Sequence, residues 1–157
     1  MVKIVTGKIN SFKSTRLRQY YEHIRMGDGF IAEKVMSGKI VHSYHLVKLS
    51  TGKKTPFIIR NQYDDGSYKV QYKIGPYHIF ESAIKYVEHE INQMIEDKIH
   101  PIFLDEISLL ELEGKGFCQI LKKLLSLKKD ICMVVREDLL EAVLDKFSIN
   151  EYEIIGD

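Results

Sequence analysis

The sequence predicts an α/β fold with a mainly parallel β-sheet and helices on both of its faces. An antiparallel β meander is inserted after the first helix. Short runs without polar side chains alternate with segments whose apolar residues recur at helical spacing, which is typical of buried parallel strands joined by helices. Before these runs lie three segments rich in β-branched and aromatic residues, separated by turns short enough for hairpins. The length of 157 residues predicts one domain that spans residues 1–157.

The first half of the chain predicts a strand, a loop and a helix, followed by the meander. The run VKIVT is rich in β-branched residues, and a glycine-bearing loop separates it from the helical pattern KSTRLRQYYEHIR. Gly27 and Gly29 end this helix. The meander strands are predicted at GFIAEKVM, KIVHSYHLVKL and TPFIIR. A further short strand, KVQYKIGPYHI, is broken at Gly75-Pro76.

The second half predicts alternating helices and strands. The helix FESAIKYVEHEINQMIED carries its apolar residues in one stripe and its charges opposite. The remaining elements are, in order, the strand HPIFLDE, the helix KGFCQILKKLLSL, the strand DICMVV, the helix REDLLEAVLDKF and a last strand EYEII. This alternation predicts a sheet covered on each face by helices.

The charge balance narrows the class of partner. With 23 basic and 22 acidic residues, the chain has no overall field that would recruit nucleic acid or an anionic membrane. No apolar stretch approaches the ~20 residues of a membrane span, and no signal-peptide pattern is present. We therefore expect a soluble cytoplasmic protein with a small-molecule or protein partner, without specifying an oligomeric state. Arg16, Arg18 and Arg25 could form a basic patch for nucleic acid, but Glu22 dilutes its charge.

The stretch VTGKINSFKSTRL nearly matches the phosphate-binding pattern G-x-x-x-x-G-K-[ST], with Phe12 where the second glycine belongs. A strand precedes it and a helix follows, as this motif requires. Backbone N–H groups of such a loop point at phosphates, the lysine reaches the β- and γ-phosphates, and the next hydroxyl coordinates Mg²⁺. Here Lys13 and Ser14 would take those roles. The candidate nucleotide-binding residues are Gly7, Lys8, Ile9, Asn10, Ser11, Phe12, Lys13, Ser14 and Thr15.

A second candidate element is IHPIFLDEI, an apolar strand that ends in two carboxylates. Ligands of α/β sheets bind at the carboxyl ends of the strands, so Asp105 is placed to hold Mg²⁺ directly or through water. Glu106 beside it could orient or deprotonate an attacking water. The alternative is that both carboxylates merely cap the next segment. Their occurrence ~90 residues after a phosphate-type loop favours the catalytic interpretation.

Four segments resemble, in order and spacing, the THEP-type nucleoside-triphosphatase family of P-loop proteins. They are VTGKINSFKSTRL, GFIAEKVMSGKI, VQYKIGPYHI and IFLDEISLLELEGKGFCQILKKLL. The resemblance extends from the first strand to about Arg136. It implies a RecA-like P-loop fold and Mg²⁺-dependent hydrolysis of nucleoside triphosphates, such as ATP or GTP, to diphosphate and phosphate. It also implies that Asp105 supports the metal and that Glu106 activates water.

The chain departs from the family pattern at the phosphate loop, where Asn10 and Phe12 replace both interior glycines. Asparagine adopts positive φ more readily than most residues, whereas a non-glycine residue held there costs roughly 1–3 kcal/mol. The Phe12 ring must also point away from the phosphates. The alternative hypothesis is therefore a catalytically decayed P-loop protein that serves as a nucleotide-binding or protein-interaction module. A third, weaker hypothesis is a nucleic-acid-linked kinase.

Two further departures concern residues around the transferred phosphate. Where the family carries an arginine after its GFIAEKV-like segment, this chain has Val35 and Met36, so one candidate cation is missing. Arg136 and Lys39 are possible substitutes, but for each of them the pattern favours a solvated or helix-capping role. Ser108 follows the DEI triplet in place of the glycine of a Gly-Pro pair, which could change the turn beyond Glu106.

Overall fold

A single nine-stranded sheet organises the chain in the computed structural model, which describes residues 1–156. The strands are β1 Val2–Gly7, β2 Asp28–Ser37, β3 Ile40–Lys48, β4 Lys54–Arg60, β5 Val70–Ile74, β6 Tyr77–Phe80, β7 Ile102–Leu104, β8 Ile131–Arg136 and β9 Tyr152–Ile154. The helices are α1 Lys13–Ile24, α2 Glu81–Glu96, α3 Leu109–Leu112, α4 Cys118–Ser126 and α5 Leu140–Lys146. The strand order is β5-β6-β4-β3-β2-β7-β8-β1-β9.

The sheet is mixed, so the prediction of a mainly parallel sheet is wrong. The pairs β2–β7, β7–β8, β8–β1 and β1–β9 are parallel, whereas β2–β3, β3–β4, β4–β6 and β6–β5 are antiparallel. The reason is that β2 pairs on both sides, with β7 on one edge and β3 on the other. The antiparallel strands therefore continue the parallel sheet.

The segment KVQYKIGPYHI forms two strands, β5 and β6, instead of the one interrupted strand expected from the sequence. They pair antiparallel around Gly75, which has φ 52°, and Pro76. Strand β6 also pairs with β4, so the chain passes from β4 to the sheet edge and returns. This part consequently departs from a simple meander, in which consecutive strands are always neighbours.

Helices cover both faces of the sheet, as the alternation of apolar strands and amphipathic helices predicts. Leu17 of α1 is buried on one face against Val5 and Phe103, and Tyr20 and Tyr21 pack on the same cluster. On the other face, α2, α4 and α5 bury their apolar stripes in the larger core. The strands β7 and β8 are buried almost throughout because both of their faces are covered. Within residues 1–156, no helix combines the length and apolar character needed to cross a membrane.

Gly29 allows β2 to approach β7 closely where the parallel and antiparallel halves of the sheet meet. The two strands pair over only three positions, with Gly29 opposite Phe103 in the middle. A Cβ atom built on Gly29 would lie 2.1 Å from the Phe103 carbonyl oxygen, and its φ of +152° is one that L side chains rarely adopt. Glycine is therefore needed at this position for the close contact of the two backbones.

Candidate functional site

The loop between β1 and α1 has left-handed backbone at both positions where family glycines are replaced. Asn10 has φ 60°, and Phe12 has φ 59° and ψ 35°. The Lys34 ammonium donates a hydrogen bond to Oδ1 of Asn10 at 3.0 Å, which ties the loop to β2. The Phe12 side chain is 76% exposed. The ring therefore lies at the surface of the loop and does not fill its interior.

The first turn of α1 has backbone N–H groups without a hydrogen-bond acceptor in the described protein, at residues that line a cavity. Phe12 precedes the helix, and its carbonyl accepts the first helical hydrogen bond, from Arg16 at 3.0 Å. Among residues 1–156, the backbone N–H groups of Lys13 and Ser14 donate no hydrogen bond to protein. Free N–H groups and the positive end of the helix dipole attract anions together. This helix start can bind a phosphate group.

Lys13 is held inside the loop that precedes it. Its side chain is buried, and its ammonium donates a hydrogen bond to the Lys8 carbonyl at 2.7 Å. A lysine ammonium has three donors, so this one bond leaves others for a ligand. The arrangement places a positive charge beside the unpaired N–H groups, where a phosphate would need it.

Asp105 follows directly after β7 and is 1% exposed. Its Oδ2 accepts a hydrogen bond from the Ala32 N–H at 3.0 Å, and its Oδ1 is buried without a hydrogen-bond partner among residues 1–156. Burial raises the pKa of Asp105, whereas the nearby Ser14 hydroxyl, the Ala32 N–H and the Lys13 ammonium favour its ionised form. A buried, unpaired carboxylate oxygen beside a hydroxyl offers the hard ligands that Mg²⁺ prefers. These residues therefore fit a magnesium ion.

A metal here would need ligands besides the protein. Within residues 1–156, no three histidine, cysteine, aspartate or glutamate side chains come together as a potential metal site. Magnesium seldom occupies an all-protein cage, since it keeps waters and binds through one or two protein oxygens plus substrate phosphates. Ser14 and Asp105 fit that pattern.

Glu106 lies beside Asp105 and is half-buried in the same cavity. Burial, together with the negative charge of Asp105, raises its pKa to about 7, while Lys13 and Arg136 partly oppose this shift. A carboxyl group with a pKa near neutrality can accept a proton efficiently at physiological pH. Glu106 therefore has the protonation behaviour of a general base, whereas the fully buried Asp105 is already bonded to Ala32.

Glu111 supports the segment that follows these carboxylates. It is 2% exposed, and it accepts hydrogen bonds from the Ser108 N–H at 2.8 Å and from the Phe117 N–H at 2.9 Å. One side chain thus ties the start of α3 to the start of α4. The Ser108 backbone takes part in this capping arrangement, so the turn after Glu106 is closed without the family's Gly-Pro pair.

One cavity of about 730 Å³ contains most of the residues predicted for the site. Its lining includes Ile9, Asn10, Ser11, Phe12, Lys13, Ser14, Thr15, Asp105 and Glu106. Gly7 and Lys8 stand outside the lining: Gly7 ends β1, and Lys8 contributes the carbonyl that Lys13 contacts. The phosphate-type loop and the acidic strand end therefore face one space, although ~90 residues separate them in the sequence.

The rest of the cavity wall lies outside the residues that the sequence pattern indicated. That wall is formed by Arg18, Ile31, Ala32, Glu33, Lys34, Tyr44 and Tyr77. The rings of Tyr44 and Tyr77 meet edge to face with centroids 6.1 Å apart. Burial raises the pKa of the Tyr44 hydroxyl, and the charges of Glu106 and Asp105 add to this. Apart from Arg18, which lies on α1, only the pairing of β2 with β7 could have indicated these residues, since it carries the antiparallel strands to the carboxylates.

Replacing Phe12 by glycine tests whether its ring obstructs the loop. We expect the change to leave the free energy of unfolding within about 1 kcal/mol of the wild type, because relief of the left-handed backbone opposes the greater chain entropy of glycine. We also expect triphosphate affinity to stay within about threefold, since the ring is exposed. Chemical denaturation and calorimetric titration measure both. A gain of tenfold or more in affinity would show instead that Phe12 blocks phosphates.

The family model described as NTPase matches residues 3–155. The fold is similar to that in the crystal structure of THEP1 from the hyperthermophile Aquifex aeolicus, with a TM-score of 0.72 and 16% identity, covering 99% of this chain and 88% of that chain. It is also similar to the solution structure of a human cancer-related nucleoside triphosphatase, with a TM-score of 0.66 and 18% identity, covering 99% of this chain and 87% of that chain. No curated protein sequence gives a significant match.

Proposed function

Because the chain belongs to the THEP-type NTPase family, we propose that it binds a nucleoside triphosphate, ATP or GTP, and hydrolyses it to the diphosphate and phosphate with Mg²⁺. The observation that carries this proposal is the shared cavity: the N–H groups and ammonium that suit phosphates face the carboxylates that suit a metal and a water. The RecA-like subdivision of the fold, which the family resemblance implies, belongs to the same proposal.

In this proposal the phosphate loop binds and orients the triphosphate. Backbone N–H groups of residues 8–14 surround the phosphates, and Lys13 gives up its bond to the Lys8 carbonyl or shares it with a phosphate oxygen. Binding by backbone donors does not depend on side-chain identity. Asn10 and Phe12 can therefore serve in the loop as long as their left-handed conformations are kept.

Ser14 and Asp105 would hold Mg²⁺, which when bound neutralises charge on the phosphate oxygens. Glu106 would accept a proton from the attacking water, and its neighbours keep its pKa close to 7 for that task. Each of these roles belongs to a residue that reaches the cavity from the end of a strand or the start of a helix.

Thermal unfolding with and without ligand tests nucleotide binding directly. With Mg-ATP or Mg-GTP at 100 times its dissociation constant, we expect about 2.7 kcal/mol of added stability. The matched control is Lys13→Met, which keeps an unbranched side chain of similar length but removes the charge, and should lose most of the shift. A chelator without added metal should reduce the shift in the wild type as well.

The alternative of a decayed P-loop protein makes the opposite prediction. If no common nucleoside triphosphate changes the unfolding temperature, with or without Mg²⁺, the hydrolase proposal is wrong and the fold serves as an interaction module. If nucleotides bind without release of phosphate, the chain is a nucleotide-binding module. Phosphate release that accompanies the stabilisation supports the hydrolase.

A further inference from the structure

Arg136 lies where a cation could contact the phosphate that is transferred. Strand β8 lies between β1 and β7, so its carboxyl end opens between the phosphate loop and the two carboxylates. Arg136 is the last residue of β8 and pairs in register with Gly7, the last residue of β1. Its side chain is 26% exposed and lines the cavity. The topology thus brings an arginine to the centre of the site.

A neighbouring carboxylate fixes the orientation of this arginine. The Arg136 Nε donates to Oδ1 of Asp138 at 2.5 Å, and its Nη2 donates to Oδ2 at 3.0 Å. This fork occupies one edge of the planar guanidinium group. Within residues 1–156, Nη1 donates to no protein acceptor, so its N–H groups, with the second N–H of Nη2, can bind an oxyanion at the end of the guanidinium group.

The charges around Arg136 also face the reaction centre. Hydrogen bonding to Asp138 raises the pKa of Arg136, and the charge of Glu106 adds to this, while the charge of Arg136 partly opposes the rise that burial causes in the pKa of Glu106. Hydrogen bonding to Arg136 lowers the pKa of Asp138, and the positive charge of Lys13 adds to this. Both members of the Arg136–Asp138 pair therefore lie within electrostatic range of the catalytic groups. Other cations also line the cavity. Of these, Lys34 donates a hydrogen bond to Asn10, and Nη2 of Arg18 lies 3.9 Å from Oε2 of Glu33.

We propose that Arg136 is a catalytic residue that binds oxygens of the terminal phosphate and stabilises the charge on them as the phosphate is transferred to water. Asp138 is a positioning residue that holds the guanidinium edge toward the cavity. The inference rests on the proposed function and extends it: the chain supplies its own arginine and needs no partner protein for it. Stabilisation by such an arginine is worth 10³–10⁵ in kcat in other phosphoryl-transfer proteins.

Kinetics of Arg136 variants provide the first test. We expect Arg136→Ala to lower kcat by about 10³-fold, and Arg136→Lys to recover only part of this because lysine lacks the planar fork. Guanidinium ion added to Arg136→Ala should restore activity, which it should not do for a Glu106→Gln variant. Asp138→Asn should lower kcat less than Arg136→Ala does. The control is Arg25→Ala, an exposed residue at the far end of α1, about 18 Å from the loop at 1.5 Å per residue.

Equilibrium binding provides a second test that does not require hydrolysis. A contact with the terminal phosphate makes the wild type prefer a non-hydrolysable triphosphate over the diphosphate, and Arg136→Ala should reduce that preference at least tenfold while diphosphate affinity changes little. If the preference and kcat of Arg136→Ala both stay within threefold of the wild type, Arg136 has no such role, while the proposed function stands. If the wild type binds no nucleotide, the proposed function and this inference are both wrong.

Discussion

Glu106→Gln is expected to lower steady-state phosphate release by 10²–10⁴-fold, the usual contribution of a positioned general base. Glutamine has nearly the same shape as glutamate but cannot accept a proton at neutral pH. Among the carboxylates at the end of β7, Asp105 cannot readily replace it, because Asp105 is fully buried and already accepts a hydrogen bond from Ala32. The loss should therefore appear in kcat, with little change in the affinity for Mg-nucleotide.

The control for this variant is Glu113→Gln, an exposed carboxylate a few residues along the chain. It should hydrolyse nucleotide at the wild-type rate. The thermal midpoint of Glu106→Gln should equal or slightly exceed that of the wild type at pH 7, because a half-buried carboxyl group whose pKa is raised to about 7 is partly charged there at a cost. Phosphate release within threefold of the wild type would mean that another group activates the water.

Gly29→Ala is expected to destabilise the fold by about 3–5 kcal/mol, because steric overlap and an unfavourable φ act together. The new methyl group would lie 2.1 Å from the Phe103 carbonyl oxygen and 2.6 Å from its nitrogen. These are backbone atoms of β7, which is packed between β2 and β8 and has little room to move. A drop of roughly 10 °C in the thermal midpoint should follow.

Gly38→Ala is the matched control for the Gly29 variant. Gly38 also has positive φ, +62°, but an added Cβ atom would meet nothing within 4 Å. Gly38→Ala should therefore lower the free energy of unfolding by only about 1 kcal/mol, the cost of holding an L residue in the left-handed conformation. Equal midpoints for the two variants would show that β2 can separate from β7 without loss, and that the close contact there is unimportant for stability.

Much of the architecture could be predicted from the sequence because the apolar patterns were strong. Strand β7 is an uninterrupted apolar run, β8 is apolar up to Arg136, and the stripes of α2 and α4 pack as their periodicity indicates. The division of the sheet into a parallel half and an antiparallel half could not be predicted, because the periodicity of a single strand does not specify which strands it pairs with. Strand β2 looks like an ordinary hairpin strand, yet it pairs with β7 across some 70 residues.

The candidate site was partly accessible from the sequence for a similar reason. Lys13, Ser14, Asp105 and Glu106 follow a loop or a strand end, so local pattern alone located them. Tyr44 and Tyr77 lie on antiparallel strands that reach the cavity only through the order of the sheet. Arg136 could be named only as one possible cation, because its nearness to Glu106 depends on β8 lying between β1 and β7.

The two left-handed residues of the phosphate loop bear on how such loops are recognised in other genomes. A search by residue identity requires glycine before the lysine and passes over this chain at Phe12. A search of structures for loops with positive φ at these two positions would include this chain, since Asn10 and Phe12 have φ values of 60° and 59°. What defines this class of loop is a succession of backbone torsions that aims amide groups inward. Glycine is the residue that most commonly adopts those torsions. A chain with other residues at these positions should have its loop torsions determined before it is classed as inactive.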